Sequence, residues 1–498
     1  MTFAEINSKL DAIGQSSVLR FADQLDSAAR QNLANQLSAL HLDAIPPLVN
    51  EYIKNKPHVP LPKDIKPVKA YPYRPTEDLK DLYTRASARG HELLKQGKAA
   101  AFLVAGGQGT RLGYDGPKGE FPVTPIKNKP LFEVFAEQLL AHSRDSGKPI
   151  PWYIMTSQVN DAPTRDFFKK HNYFNYNPAN ILFFQQGMMP AFDKSTGQML
   201  LDEKDSLALS PDGHGGSLRA LDKSGALADM QKRGVEHLSY FQVDNPLVHC
   251  IDPLFLGLHD LTGSEMSSKT IPKAHALEKV GNFVIGDGVL QVIEYSDLPE
   301  SLARQTAPDG SLLFNAGSIA IHALRVSFIE RLNQGGQLKL PWHRAEKKVP
   351  YLDDQGNQIE PDQPNAIKLE QFVFDAIPLA KNAIVYTTKR DEEFSPVKNA
   401  AGDDSPATCR RDQIRRAAEW LESVGVAIAR ENGEVASILE ISPLFATSSA
   451  QIKNRGIPYK SISPDDKVYF DESGPHRVQG SGDKAFPEPP TQNPKPEP

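Results

Sequence analysis

The placement of short apolar runs beyond residue 98 constrains the fold more than any other feature of this sequence. The run at 99–104 is apolar throughout and gives way to glycines, as a strand buried on both faces does. Comparable runs at 152–156, 181–184 and 238–243 are separated by helix-like stretches such as 131–142, which follows Pro130. Strands alternating with helices predict an α/β domain over about residues 96–390, built on a mixed, mostly parallel sheet.

The flanks read differently. In 1–95, Val18, Leu19, Phe21 and Leu25, then Leu33, Leu37 and Leu40, recur at helical spacing, which predicts a helical N-terminal region. A proline-rich connector at 57–75 interrupts it, and a further helix is expected after Thr76 as its cap, ending near Gly97. Residues 391–475 mix a helix at 411–424 with short strands and a turn at Glu431-Asn432-Gly433, so a small α+β domain is expected there. Residues 476–498 end in a proline-rich polar stretch and are expected to form a disordered tail.

Composition excludes several classes. The chain has 498 residues, enough for two or three packed units. Its net charge of −6 is mixed along the chain, with no basic stripe for nucleic acid or an anionic membrane. No apolar stretch is long enough to span a bilayer, and Met-Thr-Phe-Ala-Glu-Ile lacks the basic and apolar regions of a signal peptide. The only two cysteines, Cys250 and Cys409, match no metal-ligand spacing, which points to free thiols in a reducing, cytoplasmic setting.

The strongest chemical signal follows the first apolar run directly: Val104-Ala105-Gly106-Gly107-Gln108-Gly109-Thr110-Arg111-Leu112-Gly113. Glycines let a backbone approach phosphates and aim its N–H groups at them. A dinucleotide fingerprint fails on spacing, because its third glycine would fall on Leu112. A P-loop fails because no Gly-Lys-Ser/Thr closes the motif. Arg111 and, in Pro117-Lys118-Gly119, Lys118 add two cations to the glycine nest, a combination suited to a triphosphate.

These residues resemble the signature of the eukaryotic-type UDP-sugar pyrophosphorylases, a branch of the Rossmann-like nucleotide-diphospho-sugar transferase fold. Further motifs follow in the family's order. They are Phe183-Phe184-Gln185-Gln186-Gly187, Pro211-Asp212-Gly213-His214-Gly215-Gly216, Val243-Asp244-Asn245 and Glu294-Tyr295-Ser296. After them come Leu313-Phe314-Asn315-Ala316-Gly317, Ile367-Lys368-Leu369-Glu370 and Glu393-Phe394-Ser395-Pro396-Val397-Lys398-Asn399. The resemblance covers roughly 15–460, and the best-matching branch is the UDP-N-acetylhexosamine pyrophosphorylases.

The resemblance implies attack of a sugar 1-phosphate oxygen on the α-phosphorus of UTP, with release of pyrophosphate. A phosphate monoester loses its second proton near about 6, so no general base is expected. Positioned cations and Mg²⁺ would offset the meeting of two anions. On this resemblance Val104, Ala105, Gly106 and Gly107 hold the nucleotide, while Arg111 and Lys118 face its phosphates. Gln186 reads uracil, whose imide edge needs both a donor and an acceptor, and Gly213 lies close to the base or ribose. Asp244, at the end of an apolar run, is the expected Mg²⁺ ligand. Lys368 and Lys398 neutralise UTP and sugar phosphate respectively, and His214, Glu294, Tyr295 and Asn315 are the sugar candidates.

Two positions depart from the hexosamine pattern: histidine stands at 214 where asparagine is usual, and Ser318 stands where another asparagine is expected. Both bear on sugar choice, and a UDP-glucose or broad UDP-sugar pyrophosphorylase is the nearest alternative. A glycosyltransferase of related fold would bring two carboxylates to its metal, and Val243-Asp244-Asn245 offers one. A silent sugar-nucleotide sensor would be expected to lose Arg111, Lys118 or Asp244, and all three are present. The spacing of His214 and His249 gives no support to a zinc site.

Overall fold

The computed structural model describes residues 2–56, 61–335 and 338–478. Its contacts divide the chain into two compact units. Among the described residues the larger comprises 64–185, 221–331 and 377–478, and the smaller 2–56, 61–63, 186–220, 332–335 and 338–376.

The larger unit is organised by a sheet of ten strands. In chain order they are β1 (Ile65–Pro67), β2 (Ala99–Val104), β3 (Trp152–Thr156), β4 (Ile181–Gln185) and β5 (His237–Gln242). There follow β6 (Met266–Pro272), β7 (Asn282–Gly286), β8 (Val289–Ile293), β9 (Ala316–Arg325) and β10 (Ile384–Thr387). The order along the sheet is β1-β7-β9-β5-β2-β3-β4, with β6 joining β9 to β10 and β8 paired to β7. Strands β5, β2, β3 and β4 run parallel, and β9 lies antiparallel to β5.

The parallel half follows from its residues. Ala100, Ala101, Phe102 and Leu103 of β2 are fully buried, as are Trp152, Ile154 and Met155 of β3, so helices can cover both faces. One of these helices is α1 (Leu131–Ser146), whose Phe132, Phe135 and Leu139 share a core with β2, β3 and β5. Parallel strands direct their C-terminal ends to one edge, where ligands of open α/β sheets bind. Val104, Thr156 and Gln242 all end their strands at that edge.

The chain is partitioned differently from the expected boundaries. The break expected near 95 falls at 63 in the contact grouping, because β1 pairs with β7 and Tyr71 bridges Tyr386. Residues 377–478, with the helix Pro406–Glu422 and a sheet of Ile438–Ile441, Lys467–Asp471 and Gly474–Arg477, remain grouped with the large sheet. The tail expected from 476 overlaps the last of these strands, and 479–498 lies outside the described residues. Thr76 does not cap its helix: its hydroxyl donates to Asp78 at 2.6 Å, and a 3₁₀ turn, Glu77–Leu79, precedes the helix Lys80–Lys95. Cys250 and Cys409 are buried and unpaired.

The smaller unit packs the helices Phe3–Ala12 and Ser27–Ala39 around Leu33, Leu37, Phe192, Leu201, Ile367 and Leu369. Its three-stranded sheet pairs Ala366–Glu370 with His343–Lys347 on one side and Phe192–Asp193 on the other. Among the described residues no helix is long and apolar enough to cross a membrane.

Candidate functional site

The glycine loop leaves β2 at the sheet edge and folds back on itself. Ala105 N–H donates to the Met155 carbonyl at 2.8 Å, extending the strand pairing by one residue. Gly109 N–H then donates to Gly116 O at 2.8 Å, and Lys118 N–H to Gly107 O at 3.1 Å, closing the loop. Asn160, fully buried, donates its amide to the carbonyl of Ala105 at 2.9 Å and pins the loop from below. Gly107 is exposed, and a Cβ there would meet nothing within 4 Å, so the protein itself does not require glycine at this point. Gly119 is sterically fixed: a Cβ would lie 2.1 Å from the Phe132 ring. The turn carrying Lys118 therefore rests directly on the first turn of α1.

The end of β5 supplies the facing carboxylate. Asp244 Oδ2 lies 4.0 Å from Lys118 Nζ, and each side chain is 15% exposed. This is attraction without a hydrogen bond. Among the described residues the Asp244 carboxylate accepts no hydrogen bond, so its oxygens are open to a ligand.

A chain of tethers brings Lys398 to the same place. Val397 N–H donates to Asp244 O at 2.7 Å. The Asn245 amide donates to Glu393 O at 2.8 Å and its oxygen accepts from Ser395 N–H at 3.0 Å. Behind them, Lys269 is 1% exposed and binds Glu393 at 2.6 Å and Asp252 at 2.7 Å. Lys398 itself is 3.3 Å from Asp404 at the surface. Asp244, Asn245, Lys279, Gly281, Ser318 and Lys398 line one cavity of about 140 Å³. Its floor includes a bulge in β9, where Ala320 is held at φ 54°, a strained conformation for a side chain with Cβ.

The sugar candidates of this unit gather around β8 and the start of β9. The backbone of Glu294 accepts from Asp297 and Leu298 N–H at 2.9 and 3.0 Å, forming a turn after β8. A Cβ on Gly281 would stand 3.2 Å from Glu294 Oε1, which places that carboxylate beside the cavity wall. Tyr295 is exposed, and the Asn315 carbonyl accepts from Lys273 N–H at 2.9 Å. Arg111 is exposed on the 3₁₀ turn Thr110–Leu112 and makes no ion pair among the described residues.

Gln186, Gly213, His214 and Lys368 belong to the smaller unit. Gly213 has φ 83°, and a Cβ there would lie 2.4 Å from the Gln371 carbonyl. Asp212 organises this corner: its N–H donates to Gly187 O at 3.0 Å, its carbonyl accepts from Gln371 N–H at 2.8 Å, and its carboxylate pairs with Arg219 at 3.0 Å. Val373 N–H donates to His214 Nδ1 at 3.1 Å, leaving the ring proton on Nε2. Burial and the neighbouring His343 push the His214 imidazole down to about 4, so it is neutral at pH 7. Burial also lowers Lys368, which makes no ion pair among the described residues.

Sequence reading missed Asn160, Lys269, Lys279 and Gly281, and gave Asn245 no role of its own. Asn245 carried a signal, since it adjoins Asp244 in one motif. The others act across distant stretches of chain and carried none.

The model of a family described as UTP--glucose-1-phosphate uridylyltransferase matches residues 43–403. The human UDP-N-acetylhexosamine pyrophosphorylase-like protein 1 is 37% identical over 477 residues, covering 89% of this chain and 93% of that one. The UDP-N-acetylglucosamine pyrophosphorylase of Saccharomyces cerevisiae is 39% identical over 349 residues, covering 68% and 73%. The crystal structure of the uridine diphosphate N-acetylglucosamine pyrophosphorylase from Trypanosoma brucei in complex with inhibitor superposes with a TM-score of 0.77. It is 24% identical and covers 93% of this chain and 99% of that one, so this likeness shows the fold.

Proposed function

The chain belongs to the UTP--glucose-1-phosphate uridylyltransferase family, and from that premise we propose that it joins UTP to N-acetylglucosamine 1-phosphate, releasing pyrophosphate and UDP-N-acetylglucosamine. The observation that carries the reading is the meeting of Lys118 with Asp244 at 4.0 Å, beside a cavity that Asp244 shares with Lys398. Two like-charged substrates must approach there, and the site supplies cations around one open carboxylate.

The sugar phosphate arrives as a dianion and needs no base. Its oxygen forms a bond to the α-phosphorus of UTP while the bond from that phosphorus to the β-phosphate oxygen breaks. The electron pair leaves on pyrophosphate. Lys118 and Arg111 balance charge on the triphosphate, and Lys398 holds the incoming phosphate against it. The loop from Val104 to Gly107 directs its backbone at the nucleotide, and open space at Gly107 allows close approach. Gln186 reads the base. Glu294, Tyr295 and Asn315 contact the sugar.

Asp244 fits Mg²⁺ as a single protein ligand. Asp244 would hold the ion together with phosphate oxygens of the substrate, the donor set Mg²⁺ favours. Bound there, Mg²⁺ would withdraw charge from the phosphates.

The nearby reading is a preference for glucose 1-phosphate. Histidine at 214, where hexosamine enzymes usually have asparagine, is the departure that favours it. Pyrophosphate release with UTP, Mg²⁺ and a panel of sugar 1-phosphates tests the assignment. N-acetylglucosamine 1-phosphate should give the highest kcat/KM. A higher value for glucose 1-phosphate would transfer the assignment to that sugar, and no release with any would remove it.

A further inference from the structure

Lys279 is a cation that the expected motifs do not contain. It lies between β6 and β7, on the stretch 273–281 that borders the cavity of Asp244 and Lys398. Among the described residues it makes no ion pair or hydrogen bond, and its side chain is exposed. Its acidic neighbour does not neutralise it. Glu278 instead accepts from Ala274 N–H at 2.6 Å and pairs with Arg390 at 2.5 Å.

The stretch is braced at both ends. Lys273, buried, donates to the Asn282 amide oxygen at 2.8 Å, and the Asn282 amide donates on to Val280 O at 3.3 Å. Ser318 N–H donates to Gly281 O at 2.8 Å, tying the end of the stretch to β9. Arg390 is part of the same segment that leads to Lys398, so the Glu278–Arg390 pair couples the Lys279 loop to the Lys398 arm. The two lysines thus face one cavity from two linked supports. Lys398 is paired with Asp404 at 3.3 Å, while Lys279 makes no ion pair among the described residues.

We propose that Lys279 is a further substrate-binding residue that grips the phosphate of the incoming sugar 1-phosphate, opposite Lys398. The inference rests on the uridylyltransferase reading above. A charge-assisted contact to phosphate is among the stronger hydrogen bonds, so its removal should be visible in binding.

Lys279→Ala and Lys279→Arg, assayed with UTP, Mg²⁺ and N-acetylglucosamine 1-phosphate, test this directly. For Lys279→Ala the KM for the sugar phosphate should rise by about tenfold or more while the KM for UTP stays within about twofold. Lys279→Arg should restore most of the loss, because guanidinium also binds phosphate. An unchanged sugar-phosphate KM in Lys279→Ala, or a rise confined to UTP, overturns the assignment while wild-type turnover leaves the enzyme reading standing. Absence of turnover in the wild type overturns both.

Discussion

Lys118 Nζ stands 4.0 Å from Asp244 Oδ2, bringing the cation that follows the glycine loop within reach of the carboxylate that ends β5. These residues are far apart in sequence. Parallel pairing of β2 with β5, from Ala99 opposite His237 to Val104 opposite Gln242, sets their strand ends side by side. The positioning of charge needed by the proposed reaction is a consequence of that register.

Lys118→Ala and Asp244→Ala should each lower kcat by at least about 10², the scale of losing one preorganised charge-stabilising group. Neither side chain is fully buried, and neither makes a hydrogen bond to the other, so both variants should fold. Steady-state kinetics, with circular dichroism as the check on folding, decide this. Turnover within a few-fold of wild type in both variants would contradict the roles given to them.

Gln186→Ala should weaken discrimination between UTP and other nucleoside triphosphates. Loss of one or two hydrogen bonds to the base corresponds to roughly tenfold in relative kcat/KM. Competition between UTP and CTP measures it, and an unchanged ratio would remove Gln186 from base reading.

Lys269→Ala should destabilise the protein by about 3–5 kcal/mol, because it leaves the carboxylates of Asp252 and Glu393 without their cation in a buried place. Glu393 begins the segment tethered by Asn245 that leads to Lys398, so turnover should fall as well. Urea unfolding reports the first effect. A change below about 1 kcal/mol would show that the cluster is not a determinant of stability.

Acid should destabilise the fold through two buried histidines. Burial pushes His237 down to about 4, with Arg325 adding to the effect and Asp260 opposing it. Burial holds His259 well below its usual range, with His237 and Arg325 acting in the same direction. The unfolded imidazole binds its proton near about 6.5. As pH falls, the unfolded chain is therefore protonated first. The stability due to these residues is complete above about 6.5 and is lost as pH falls toward about 4. Urea midpoints at pH 7.5, 6 and 5 should decline in that order, and a flat series would contradict the buried neutral assignment.

What the sequence disclosed follows from how local each requirement is. The meeting of the glycine loop, Lys118 and Asp244 is legible because the proposed phosphate site concentrates its residues at strand ends, next to apolar runs that mark the strands. The run at 99–104 corresponds to β2 itself, and Asp244 follows β5 by two residues. The Glu431-Asn432-Gly433 turn was legible for the same reason, with Asn432 at φ 50° and Gly433 at φ 85°. Asn160 beneath the loop, Lys269 behind Glu393 and Lys279 beside the cavity depend on pairings between distant segments, which periodicity cannot report. The assignment of 64–95 to the larger unit has the same origin, since it depends on β1 finding β7 and Tyr71 finding Tyr386. The cap at Thr76 failed for a local reason: its hydroxyl bonds Asp78, and a tighter turn begins the helix.

The central claim is that an oxygen of the sugar phosphate attacks the α-phosphorus of UTP. N-acetylglucosamine 1-phosphate carrying ¹⁸O in its phosphate, incubated with UTP and Mg²⁺, tests this most directly. The account predicts that all of the label is recovered in the UDP-sugar and that the pyrophosphate is unlabelled. Label in the pyrophosphate, or nucleotide cleavage without a UDP-sugar product, would contradict it.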